Sequence, residues 1–210
     1  MSCSRHHLQI IKRTIFMKGY NIYILLFFLL ITNFCYAGNL KGKIKVNEEG
    51  LSNVVVYLEP VNKGSYAPPK EPAVLDQKNL NFVPHVLPVL LGTKVIFPNS
   101  DQTRHSVFST GDVKKFDFGT YKPGIEKSIV CDKPGLIPVL CYIHHDMSAY
   151  IFVLETPYFA LTDESGEYVI NNLPSGKYRL SFWHEEAKIK SQDILIPEHN
   201  TVTKNISIDD

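Results

Sequence analysis

From Gly38 onward, apolar residues fall at every second position or gather in short β-branched runs, and no helical period persists. The pattern predicts strands over 41–46, 53–58, 93–97, 126–130, 136–141, 149–154, 167–170, 177–183, 192–196 and 202–208. Gly, Pro, Asn and Asp punctuate them, as in Asp163-Glu164-Ser165-Gly166 and Leu173-Pro174-Ser175-Gly176, both read as turns. Many short strands with turns between them point to an all-β chain built as a sandwich or barrel.

The first 37 residues have a different texture. They carry Arg5, Lys12, Arg13 and Lys18, then an apolar run from Ile22 to Ile31, and they end on Ala37. A basic stretch, an apolar stretch too short to span a bilayer comfortably and a small closing residue read as a secretory leader cut after Ala37. Met17 also begins a complete leader. The expected location is the periplasm or another exported space, with no stable membrane anchor, since Asn33 and Phe34 spoil a lipoprotein pattern before Cys35. Without the leader, which holds four basic and no acidic residues, the formal charge falls from +1 to about −3. A scattered, mildly acidic surface argues against nucleic acid as a partner.

Two further textures divide the rest. Residues 73–155 hold all the possible metal ligands, while 38–62 and 157–210 hold only strands and turns. The stretch 63–72, with Gly64, Pro68, Pro69 and Pro72, reads as a loop or linker.

The segment CYIHHDM, residues 141–147, places a thiol, two imidazoles and a thioether within seven residues after a strand. Turned toward one point and joined by His105 from the FPNSDQTRHSVFS segment, Cys141, His144 and Met147 complete a thiolate, two imidazoles and a weak axial thioether. That is the ligand set of a blue copper site. Zinc accepts thiolate and imidazole but has little use for a thioether, and the paired spacings of zinc sites are absent. Covalent haem needs Cys-x-x-Cys-His, and iron–sulfur clusters need more thiolates. A binuclear copper centre needs a second cysteine in the loop. Two rival readings of Cys141 stay open: a nucleophile activated by a neighbouring imidazole, and a disulfide to Cys131, the other cysteine left after export. Spacing favours His144 over His145 as the loop ligand, with His145 facing solvent beside it. His85, His184 and His199 are assigned no role, and no acid, base and nucleophile stand together as an enzyme would need.

The same residues resemble a known family. FVPHVLPVLLGTKVIFPNSD is similar to the opening strands of cupredoxins of the plastocyanin and amicyanin class, with Gly92-Thr93 at a turn and Asn99 to Asp101 before the first histidine. RHSVFS resembles their first-ligand motif, and PGLIPVLCYIHHDMSAYIFV resembles their penultimate strand, ligand loop and final strand. The short loop spacing is similar to amicyanin's rather than azurin's. Ser106 departs from the pattern, because plastocyanins often have Asn there to tie the two ligand loops together near the sulfur. The flanks, LKGKIKVNEEGLSNVVVYLEP and TDESGEYVINNLPSGKYRLSFWHE, resemble parts of a transthyretin-like or carboxypeptidase-regulatory-like sandwich. Within the class, the combination most resembles exported methylamine-utilisation-type proteins.

The resemblance implies a Greek-key cupredoxin sandwich over 73–155, inserted into a smaller regulatory-like β-sandwich formed by 38–62 and 157–210; the other arrangement open to these strands is one extended sandwich. It implies one type 1 copper ion on His105, Cys141, His144 and Met147. It also implies single-electron carriage to a redox partner protein such as a c-type cytochrome or a dehydrogenase, through His144 and a rim of Tyr142, Ile143 and His145. Two other functions compete: a periplasmic copper carrier or sensor, which the second sandwich favours, and a metal-free β-sandwich binding module.

Overall fold

The computed structural model describes residues 37–61 and 64–208. The leader lies outside these residues apart from Ala37 itself. Among the described residues there is no helix, and the expected all-β class holds.

The middle of the chain folds as two facing sheets. One runs, in spatial order, Phe116–Tyr121, His105–Ser109, Gly135–Leu140, Ser148–Leu154 and Val86–Leu90, with the last pair parallel and the rest antiparallel. The other runs Glu126–Val130, Lys94–Pro98 and Ala73–Val74. The chain crosses between the sheets after Lys94–Pro98, after Phe116–Tyr121 and again after Glu126–Val130, so hairpin pairs such as Gly135–Leu140 with Ser148–Leu154 alternate with crossovers, as in a Greek key. Alternation buries one face of each strand: Val95 with Phe97, Ile137 with Val139, and Ala149 with Ile151 and Val153 all enter one core. Gly92, at φ +86°, supplies the left-handed residue of the turn that closes with Thr93 N–H donating to the Leu90 carbonyl at 3.0 Å.

The two ends of the chain build a second pair of sheets. Ala37–Val46 pairs with Glu167–Pro174 on one side and with Thr201–Thr203 and Ile206–Ile208 on the other. Facing it, Phe159–Leu161, Val55–Pro60, Gly176–Trp183 and Gln192–Ile196 form an antiparallel sheet. Leu40, Ile44, Val56, Leu58, Ile170 and Leu180 fill the space between. The single strand expected over 202–208 is interrupted at Lys204 and Asn205. There the Lys204 N–H still donates to the Lys41 carbonyl at 2.8 Å, but the Lys204 carbonyl accepts the Tyr168 hydroxyl at 2.8 Å and the Asn205 Oδ1 accepts the Lys43 N–H at 3.0 Å, so side chains take over part of the ladder.

A third cluster joins the two halves. Val55, Val86 and Leu154 are buried together, and Tyr57, Tyr150, Phe152 and Trp183 pack against them. The Trp183 ring lies 5.3 Å from Tyr150 and 5.4 Å from Phe152, centre to centre. Ser148–Leu154 therefore has apolar cover on both faces: its odd residues face the first core, and its even residues face the second sandwich. The strand Val86–Leu90 escapes a periodicity reading because Pro84 and Pro88 interrupt it. It survives because it is an edge strand, where a missing N–H leaves no ladder bond unmade.

Candidate metal centre

The first candidate ligand opens a strand. His105 is the first residue of His105–Ser109 and is fully buried. Cys141 comes directly after Gly135–Leu140, the neighbouring strand, and the chain then turns through residues 142–147 into Ser148–Leu154. The Met147 N–H donates to the His144 carbonyl at 3.1 Å and closes that turn.

Three of the expected ligands converge. Cys141 Sγ lies 4.0 Å from His105 Nδ1 and 3.9 Å from His144 Nδ1, and the two Nδ1 atoms are 3.1 Å apart. A first-row ion with bonds of about 2.0–2.3 Å to nitrogen and sulfur bridges donors at such separations. One thiol and two imidazole nitrogens meeting in a buried pocket suit a soft ion in a trigonal set. Met147, the fourth expected ligand, is buried in the same core cluster as Cys141.

Ser106 does the work that the resemblance left in doubt. Its Oγ accepts the Tyr142 N–H at 2.8 Å and stands 3.8 Å from Cys141 Sγ, so a single hydroxyl ties the two ligand segments together beside the sulfur. Around the site, His144 is half-buried while His145 is exposed. Tyr142 and Ile143 are 53% and 44% exposed, and the Tyr142 ring stacks on Phe108 at 3.6 Å.

Asp101 lies within reach of the site although its position in sequence offered only a place before the first histidine. Its Oδ2 accepts from His105 Nε2 at 2.9 Å. Burial works against its ionised form, but the Leu80 N–H, His105 and the Asn79 N–H together hold its carboxyl below the usual carboxylate value. A carboxylate four residues ahead of a histidine in a loop is the one local signal that could have raised it.

The disulfide reading of Cys141 is overturned: Cys131 and Cys141 are both free thiols. They sit at opposite ends of Gly135–Leu140, Cys131 beside Thr93, whose carbonyl accepts its N–H at 2.9 Å, and Cys141 at the ligand cluster. A six-residue strand spans roughly 20 Å, beyond a disulfide's reach. Burial pushes the Cys131 thiol up to about 11, the mark of an inert packing residue.

His85, given no role from sequence, connects the two sandwiches. Its Nδ1 lies 3.2 Å from the Ser148 carbonyl and its Nε2 2.9 Å from Glu185 Oε1, partners 63 and 100 residues away that no local motif announces. Each ring nitrogen thus has an oxygen within hydrogen-bond reach, one on each sandwich. His184 Nδ1 accepts the Glu186 and Ala187 N–H groups in a surface turn.

No family model matches the chain, and no curated protein matches it. Solved structures do. The copper-containing nitrite reductase of Thermus scotoductus SA-01 is 28% identical over 47% of this chain and 26% of its own, with a TM-score of 0.40. A purple cupredoxin from Nitrosopumilus maritimus is 18% identical over 39% of this chain and 99% of its own, with a TM-score of 0.37. A Cu(I) amicyanin variant is 16% identical over 47% of this chain and 98% of its own, at 0.38. The chain thus spans about a quarter of the nitrite reductase's length.

Proposed function

We propose that this chain is an exported type 1 copper protein of the cupredoxin kind, carrying single electrons between redox partners. The convergence of Cys141 Sγ with the Nδ1 atoms of His105 and His144, at 3.1–4.0 Å from one another, carries the reading. Bound copper would supply a one-electron couple between Cu(I) and Cu(II). The protein's part is to hold the donors still. His105 and Cys141 sit at the ends of paired strands, Ser106 ties their segments together, and Met147 enters from a turn closed by its own N–H. A packed β core resists the rearrangement that a change of oxidation state would otherwise bring, so little reorganisation accompanies each transfer.

The half-buried His144 offers a route to the surface, and exposed Tyr142, Ile143 and His145 form a rim on which a c-type cytochrome or a dehydrogenase would dock briefly. The leader over 1–37 takes the protein out of the cytoplasm. The ends of the chain form a regulatory-like sandwich into which the copper-binding part is inserted. Supporting this, Val55–Pro60 pairs with Phe159–Leu161 and Gly176–Trp183.

A second reading, copper carriage or sensing, is favoured by that added sandwich, which a bare shuttle does not need. Loading the mature chain with Cu(II) separates the two. An electron carrier turns intensely coloured through thiolate-to-copper charge transfer, bleaches reversibly with reductant, and loses the colour in Cys141→Ala. A colourless protein that holds Cu(I) tightly supports carriage instead. A chain that binds no copper overturns both.

A further inference from the structure

We infer that Asp101 is a positioning residue for the metal centre: its carboxylate holds His105 as the Nε2–H tautomer, aims the Nδ1 lone pair at the ligand cluster and favours the oxidised ion. The tautomer half stands on geometry alone, and the redox half rests on the copper reading above.

The hydrogen bonds leave His105 little choice. An ionised carboxylate only accepts, so His105 Nε2, 2.9 Å from Asp101 Oδ2, must carry the proton. In the neutral ring Nδ1 is then left with its lone pair facing Cys141 Sγ and His144 Nδ1. Because His105 is fully buried, water does not compete for either nitrogen. Without the carboxylate, neutral imidazole would be free to place its proton on Nδ1, where it would block a metal.

The carboxylate is itself fixed. Asn79 and Leu80, at φ +54° and +57°, aim successive N–H groups at it, reaching Oδ1 at 3.1 Å and Oδ2 at 2.8 Å. Its backbone is braced as well: the Asp101 N–H donates to Asn99 Oδ1 at 3.1 Å, and Asn99 Nδ2 donates to the Thr103 carbonyl at 2.9 Å. The turn after Asp76–Lys78 therefore reaches the centre through one side chain, a link between a hairpin with no ligand of its own and the first ligand.

Charge gives the second half. A thiolate and a carboxylate together balance a doubly charged ion, whereas after one-electron reduction the same pair leaves one negative charge in excess. The partly buried position weakens solvent screening of that difference. Carboxylate–histidine–metal chains also raise ligand basicity, which acts in the same direction.

Two variants of the mature chain test this. In Asp101→Asn the side-chain carbonyl still accepts from Nε2 but the charge is gone; in Asp101→Ala both are lost. Nitrogen-15 NMR of the metal-free protein is expected to show His105 as the Nε2–H tautomer in the wild type and in Asp101→Asn, and a shift toward Nδ1–H in Asp101→Ala. With copper, Asp101→Asn is expected to lose about tenfold in Cu(II) over Cu(I) affinity, a rise of about 59 mV in potential. Asp101→Ala is expected to lose about 10–100-fold in Cu(II) affinity. An Nδ1–H tautomer in the wild type, or a potential in Asp101→Asn equal to or below the wild type's, overturns the inference. A wild type that takes up no copper sinks the proposed function, and the tautomer measurement still decides the role of Asp101.

Discussion

Ser106 shows how much of the site depends on one small group. Replacing it with Ala removes the acceptor of the Tyr142 N–H and the hydroxyl beside Cys141, leaving a part-buried donor without a partner. Such a loss costs about 1–3 kcal/mol. The urea midpoint of metal-free Ser106→Ala should fall accordingly, and a midpoint unchanged from wild type would show that the loops are held by something else. Cys131 makes a different, pH-dependent contribution. Its thiol is raised by burial from 9.0 to about 11, so between those values the folded chain keeps a proton that the unfolded chain has lost. Stability therefore falls as pH rises through that window, by about 1.4 kcal/mol per pH unit for this one group. Thermal midpoints measured from pH 8 to 11 should decline, and Cys131→Ala should flatten the decline; an identical slope in the variant would assign it to other groups. Among the candidate ligands, Cys141 and His144 were legible because a short loop writes their spacing into sequence, and Met147, read from the same loop, is buried in the same core as Cys141. His105 was legible because its motif follows a turn. Asp101 and His85 were not, because their meaning lies in contacts made across folded loops and across the junction.

The strand Ser148–Leu154 explains why the two sandwiches behave as neighbours rather than beads. Alternation sends Ala149, Ile151 and Val153 into the first core and leaves Tyr150 and Phe152 to be covered by Trp183 and Tyr57. Truncating a fully buried Trp costs about 3–5 kcal/mol, and Trp183 is only partly buried, so Trp183→Ala should cost about 2 kcal/mol. Denaturant unfolding should show that loss, and a loss under about 0.5 kcal/mol, the range of an ordinary surface change, would mean the junction packs too loosely to matter. Many strands were readable: 126–130 and 192–196 match the observed bounds, several others differ by a residue or two at their ends, and 41–46 and 167–170 each stop four residues short at one end. The hairpin of Asp76–Lys78 with Asn81–Val83 was not, since strands of three residues are too short to show a period. The inter-sandwich cluster was invisible for a related reason. A strand buried on both faces reads as a plain apolar run, and nothing local says what covers its second face.

Joined through the cluster packed on the outer face of Ser148–Leu154, the two sandwiches should unfold as one. Trp183 is the single tryptophan of the chain, and it belongs to the second sandwich at the junction, so its fluorescence reports on the part that carries no candidate ligand. The charge-transfer band of a copper-loaded protein would report on the other part. An ion bound to the folded state alone stabilises whatever unit unfolds with its site, by an amount that grows with the logarithm of free ion over the dissociation constant. If the unit is the whole of the described chain, copper should raise the midpoint seen by Trp183 to the point at which the band is lost. If the clusters were independent, the gain would stop at the first core. The two curves should therefore coincide with copper bound and shift together as copper is withdrawn. In Trp183→Phe, read by circular dichroism, the transition should stay single; in Trp183→Ala it should broaden or divide. Two separated transitions in the wild type would mean that the buried contacts of Val55, Val86 and Leu154 do not couple the halves, and that the second sandwich neither braces the metal centre nor feels its ion.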